Sequence, residues 1–349
     1  MVSVYAPTIR RREMDAVLTA LVEDKVGPGE RSEFLIQTAK ECLGFDSCIS
    51  LRSPVMALAL ALKLLNIEEG KGVLVSALSP LYYLQVIQDL RLTPVVCDVG
   101  EGQACISKET ALSTLDGKDV RAIIVHHTLG FVPETAAIAE IGVPVIEDCS
   151  LSCGTFVDSV DATERGASRV APFQGTFVIL GLEERDMLTA GGGALLFALN
   201  RRNGIALKNA GRLLPEYGLP DMNAAMAVVQ FRDLTKNLKK RKEIAHVYTQ
   251  ASLHTRHKRF IAREDLPYNN YAFPLILETG MKDVKAYARK KGIEVENAFS
   301  GTVISGNQDF VEQCPVSASL SRRAVLFPLY PRLTSADVEK TAKIIGTLP

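Results

Sequence analysis

The distribution of apolar and polar positions along this chain predicts short buried strands separated by longer helical stretches. From about residue 30 to 235, β-branched runs recur at Gly72 to Val75, Thr93 to Cys97, Ala122 to Val125, Val143 to Ile146, Thr176 to Leu180 and Gly193 to Phe197. These runs are mainly apolar, as in strands covered on both faces, and the helical patterns between them supply the covers. A largely parallel sheet in an α/β domain follows. Leu58-Ala59-Leu60-Ala61-Leu62 continues as Lys63-Leu64-Leu65, a helix too apolar for solvent and expected against the sheet or a partner subunit.

A long helix opens at Asn223 and ends near Tyr248, its second half turning basic. The pattern then loosens, so residues 1–235 are expected to form a large α/β domain with an N-terminal arm, and residues 236–349 a smaller C-terminal α+β domain. The run Lys239-Lys240-Arg241-Lys242 reads as a solvated helix face. The chain closes with a strand around Phe327 and a helix whose N-cap is Thr334 or Ser335, with acidic residues in its first turn.

Composition narrows the function classes. Lys+Arg and Asp+Glu each number 40, and this zero balance gives no footprint for nucleic acid or an anionic membrane surface. No window approaches the ~18 uninterrupted apolar residues of a membrane helix, and Arg10, Arg11 and Arg12 lead into no apolar signal core, so a soluble cytoplasmic protein is expected. Seven scattered cysteines suit a reducing compartment. Cys149 and Cys153 lack further ligand neighbours and read as buried thiols, and no metal is expected.

The chemistry-bearing motifs lie at the strand ends. Val145-Ile146-Glu147-Asp148-Cys149-Ser150, the stretch Phe177-Val178-Ile179-Leu180, and Leu188-Thr189-Ala190-Gly191-Gly192-Gly193-Ala194 resemble the DegT-type sugar aminotransferases, of the fold-type-I pyridoxal-phosphate class. The resemblance extends from Gly27-Pro28-Gly29 through His127-Thr128-Leu129-Gly130 and Asp221-Met222-Asn223-Ala224-Ala225 to Pro328-Leu329-Tyr330-Pro331-Arg332. It implies a mostly parallel central sheet in a large domain, a small C-terminal domain, and a cofactor held by specific residues.

Carried over one by one, those residues have changed. The resemblance implies that Asp148 would pair with the pyridinium nitrogen, and Asp148 is present. The Schiff-base lysine aligns with Arg185, and no lysine occurs between Lys118 and Lys208. A guanidinium is protonated at every accessible pH and cannot condense with an aldehyde. Histidine, which some relatives use there, is absent between His127 and His246. The phosphate-binding Ser-Gly-Thr becomes Ser53-Pro54-Val55, in which proline has no N–H and valine no hydroxyl, leaving Ser53 as one phosphate contact. The ring-stacking aromatic falls on Pro80, with Tyr82 or Tyr83 as substitutes if the register shifts. The polar residue three positions beyond Asp148 is Leu151, and a phosphate-touching serine becomes Leu180. Pro54, Val55, Leu151 and Leu180 are therefore expected to line or adjoin an apolar cleft. His127 reads as a structural histidine, and the glycine run as a tight approach before a strand.

The expected protein is thus a catalytically degenerate homologue that uses no cofactor. It would serve as a binding or assembly subunit, in a homodimer or a heteromer with an active paralogue, its pocket free for a small-molecule ligand. The alternative is a pyridoxal-phosphate-dependent transaminase acting on a nucleotide-linked keto sugar. It requires Lys208, 23 residues beyond Arg185, or another lysine to reach the pocket.

Overall fold

In the computed structural model, which describes residues 1–155, 173–213 and 215–349, all six expected strands form and a seventh joins them. The strands are β1 (Ser47–Leu51), β2 (Gly72–Ser76), β3 (Thr93–Cys97), β4 (Val120–His126), β5 (Val145–Asp148), β6 (Phe177–Gly181) and β7 (Ala194–Ala198). They lie in the order β1-β7-β6-β5-β4-β2-β3. Pairing is parallel from β3 through β6, and β7 runs antiparallel to both β6 and β1. The sequence pattern missed β1 because Ser47 and Ser50 interrupt its apolar run.

Both faces of the sheet are covered. Phe177 and Ile179 pack into one core, and Val178 and Leu180 into the other, as the two-residue period of a strand requires. The helices around the sheet are α1 (Arg11–Val22), α2 (Glu30–Leu43), α3 (Pro54–Leu64), α4 (Tyr82–Asp89), α5 (Lys108–Leu115), α6 (Thr135–Ala139), α7 (Arg201–Leu213) and α8 (Asp221–Ser252). α3 resolves the puzzle of its all-round apolarity. Pro54, Ala57, Leu58, Ala61 and Leu62 are buried within the chain, while Val55, Met56, Ala59 and Leu60 face a cavity of about 650 Å³.

The C-terminal lobe holds β8 (Phe273–Ile276), α9 (Met281–Lys290), β9 (Glu296–Asn297), α10 (Val303–Gly306), α11 (Pro315–Arg323), β10 (Ala324–Phe327) and α12 (Ser335–Ile345), with the strands in antiparallel order β8-β10-β9. Thr334 is the N-cap of α12, in a capping box with Asp337. The 32-residue α8 runs through residue 235 without a break. Its Phe231, Leu234 and Leu238 pack with the large sheet, and its Ile244 and Tyr248 with β8 and β10. One helix thus serves both lobes.

That geometry corrects the reading of Lys239 to Lys242 as a uniformly solvated face. Lys239 and Lys242 are exposed, but Arg241 is buried on the inner stripe with Asn237 and Ile244. Its Nη1 donates to the carbonyls of Tyr271 (2.6 Å) and Leu329 (2.9 Å), and its Nε to Asn237 Oδ1 (2.8 Å). A 3.6-residue period places one member of any four-residue run inward.

Candidate functional site

The parallel strands end at a cleft between the lobes, and Asp148 is the last residue of β5. Asp148 is 2% exposed, and protein groups occupy both carboxylate oxygens. Oδ1 accepts from Ser150 N (3.0 Å) and Ser150 Oγ (2.5 Å), and Oδ2 accepts from the Tyr83 hydroxyl (2.5 Å). Tyr83 is itself fully buried in α4, its ring edge-on to Tyr82 and His126. Burial and then the Asp148 charge push the Tyr83 hydroxyl well above the usual phenol range, so it remains a donor at every ordinary pH. Ser150 Oγ also accepts from Gly181 N (2.7 Å), tying the end of β5 to the end of β6.

The other expected site residues are dispersed. Ser53 is the N-cap of α3, its Oγ accepting from Met56 N at 3.3 Å. Val55 is exposed and lines the 650 Å³ cavity. Leu180 is wholly buried in the core with Cys149 and Leu188. Leu151 is half-buried, its carbonyl accepting from Asn269 Nδ2 (2.8 Å), and Pro80 is half-buried in a bridge to Thr302. His127 is fully buried, its Nδ1 2.6 Å from Ser152 Oγ and its Nε2 3.5 Å from Glu147 Oε2. Gly191, Gly192 and Gly193 adopt φ of +71°, +134° and +123°, and a Cβ on Gly193 would lie 2.4 Å from Leu219 Cδ1. That close approach is what the glycine run provides.

Arg185, in the turn between β6 and β7, faces outward and forms a two-point ion pair with Glu296 on β9, Nη1 to Oε2 at 2.7 Å and Nη2 to Oε1 at 3.2 Å. Beside it Asp186 is half-buried, and burial raises its carboxyl to about 7, reinforced by the charges of Asp148 and Glu183 and partly offset by the Glu183 amide. His126 is lowered to about 4, chiefly by burial. Sequence reasoning singled out neither Asp186 nor His126. Glu296 lies 111 residues from Arg185, and no local signal connects the two.

Pyridoxal phosphate needs a lysine amine, amide donors for its phosphate, and an open carboxylate for its ring nitrogen. The residues present do not fit it. The carboxylate is capped by Tyr83, the α3 N-terminus begins with a proline, and Arg185, the residue that the sequence resemblance aligns with the lysine, is ion-paired with Glu296. Lys208 lines the 650 Å³ cavity together with Lys63, and Asp148 does not. The hollow that Arg185 does line, with Tyr5, Tyr271 and Phe327, measures about 30 Å³, room for a single water.

A profile of the DegT/DnrJ/EryC1/StrS aminotransferase family matches residues 7–346. Among solved structures, the chain is similar to the aminotransferase TlmJ from Streptoalloteichus hindustanus, at 21% identity and TM-score 0.83 over 99% of this chain and 98% of that one. The sugar aminotransferase CalS13 from Micromonospora echinospora is similar at 17% identity and TM-score 0.84, over 99% of each chain. The E coli GDP-4-keto-6-deoxy-D-mannose-3-dehydratase with bound hydrated PLP matches at 14% identity and TM-score 0.83, again over 99% of each. At these identities the likeness establishes the fold.

Proposed function

The chain belongs to the DegT/DnrJ/EryC1/StrS aminotransferase family, and from that premise we propose that it is a member that has set aside the family's cofactor and serves as a binding or assembly subunit. The observation that carries the reading is the Tyr83 hydroxyl on Asp148 at 2.5 Å. It places an internal donor where an external ring nitrogen would need to be. Even a freed Asp148 would offer a hydrogen bond worth about 1.5–3 kcal/mol, far below the roughly 8 kcal/mol that micromolar binding requires.

The partner in this reading is a second chain, either another copy or an active relative. Its seat would be the open side of α3, where Val55 and Met56 border the 650 Å³ cavity. The same cavity has the volume of a small-molecule site. No described helix is long and apolar enough to cross a membrane, and the seven free thiols favour the cytoplasm.

The rival reading is pyridoxal-phosphate-dependent transamination of a nucleotide-linked keto sugar. Family membership favours it, as do the activities named for the similar structures. It requires that Lys208 or another lysine reach Asp148, whereas Lys208 lines the cavity beside α3. The test is to titrate the purified protein with pyridoxal phosphate at millimolar concentration and then reduce with borohydride. The proposal expects no visible band and no labelled lysine. A yellow protein carrying the label on any lysine would overturn it in favour of the transaminase.

A further inference from the structure

The geometry points to a gained role for the residue at the nucleophile position: Arg185 is a fastener that holds the two lobes closed over the cleft. Its guanidinium belongs to the large lobe, on the turn after β6, and both oxygens of its partner Glu296 belong to β9 of the small lobe. Two further segments converge on the same residue. The Tyr5 ring, from the N-terminal segment, lies 5.7 Å below the guanidinium carbon, and the Tyr271 hydroxyl, from the loop before β8, donates to the Arg185 carbonyl at 2.7 Å.

The N-terminal segment is in turn anchored to the small lobe. Val2 N donates to Gly292 O (2.9 Å), Glu294 N to Val2 O (2.9 Å), and Val4 N to Glu294 Oε2 (3.3 Å). The hollow beside Arg185 at this mouth is about 30 Å³. Elsewhere the lobes are joined independently: Phe299, Val303, Ala318 and Leu320 share a buried core with the large sheet, and Asn269 Nδ2 donates to Leu151 O (2.8 Å) and Tyr268 Oη to Leu129 O (2.7 Å). Asp98, after β3, accepts from Val316 N (2.9 Å) and Ser317 N (2.8 Å) at the start of α11, and α8 runs unbroken between the lobes. Loosening the mouth therefore leaves a hinge intact.

This accounts for the arginine itself. A planar fork meets both oxygens of a carboxylate, whereas an ammonium would make a single-point contact. Arg185 retains 58% and Glu296 27% side-chain exposure. Solvent screens such a pair, so its effect on opening is modest, on the order of fivefold in the open population.

Hydrogen exchange followed by mass spectrometry on the full chain tests the fastener, comparing wild type with Arg185→Ala, Glu296→Ala and the double variant. Each single change is expected to speed exchange about fivefold in the peptides spanning 4–9, 183–187, 268–272 and 294–297. Rates in β2 and β4 should stay the same, and the double variant should match the singles. Exchange within twofold of wild type in Arg185→Ala, or additive effects in the double variant, would overturn the inference. Should an alanine variant fail to fold, Glu296→Gln and Arg185→Gln pose the same question under the same criteria. The readout involves no cofactor, so it stands apart from the result of the pyridoxal phosphate titration.

Discussion

Replacing Tyr83 by phenylalanine isolates the contact on which the functional reading rests. The ring is fully buried and keeps its packing in the variant, so the change is confined to one hydroxyl. That hydroxyl donates at 2.5 Å to a carboxylate oxygen that is buried with its residue at 2% exposure. A hydrogen bond to a charged group contributes about 1.5–3 kcal/mol, and leaving a buried acceptor unmet adds its desolvation cost. Ser150 continues to satisfy the other oxygen, which caps the loss near 3 kcal/mol. For 349 residues the unfolding entropy is about 0.7 kcal/mol/K, so Tm should fall by about 4 °C. Calorimetry reads the shift directly, and urea titration followed by far-UV circular dichroism suits a chain with no tryptophan. Tyr217→Phe is the control, since Tyr217 is 44% exposed and its hydroxyl should be worth less than about 0.5 kcal/mol. A cycle with Asp148→Ala should show coupling of about 1.5–3 kcal/mol between the two positions. A Tyr83→Phe variant within about 0.5 kcal/mol of wild type, or strictly additive effects, would refute the reasoning.

Three other substitutions probe the surrounding network. Asp186, raised to about 7 chiefly by burial, holds its proton more tightly folded than unfolded, so its contribution is fully present below about pH 4 and is lost as pH rises through 7. His126, lowered to about 4 by burial, has the opposite slope, its contribution being lost as pH falls from about 6.5 through 4. Asp186→Asn should therefore stabilise the protein at pH 8 by on the order of 2 kcal/mol, change little at pH 4, and leave stability rising with pH between them; unchanged urea midpoints at pH 8 would contradict this. Gly193→Ala, at φ +123° and 2.4 Å from Leu219 Cδ1, should cost about 2–3 kcal/mol in the same titration, and a neutral outcome would show that the turn is not constrained. Arg241→Met removes donors from the carbonyls of Tyr271 and Leu329 and from Asn237; it should destabilise by about 3–5 kcal/mol, and a smaller loss than Lys242→Met would disprove the hub.

The strands of the large sheet were legible in the sequence because both-face burial imposes continuous apolar runs, as at Ala122 to Val125. The cap of α12, read as Thr334 or Ser335 and found at Thr334, and the tight glycine run before β7 were likewise legible, since each is a local requirement of backbone geometry. That no lysine lies between Lys118 and Lys208 could be read directly, because it is a matter of composition. β1 escaped notice because Ser47 and Ser50 break its apolar pattern, and its place depends on pairing with β7, far away in sequence. What Asp148 and Arg185 meet was decided by tertiary structure. Tyr83 meets Asp148 across 65 residues, and Arg185 meets Glu296 across 111. Neither pair has a spacing that periodicity can reveal. Arg241 looked like one more member of a basic run until the helix turned it inward. The sequence determined which groups are present, since a side chain's chemistry travels with its residue. The fold decided what those groups meet, since hydrogen bonds and ion pairs depend on distances that only the packed chain sets.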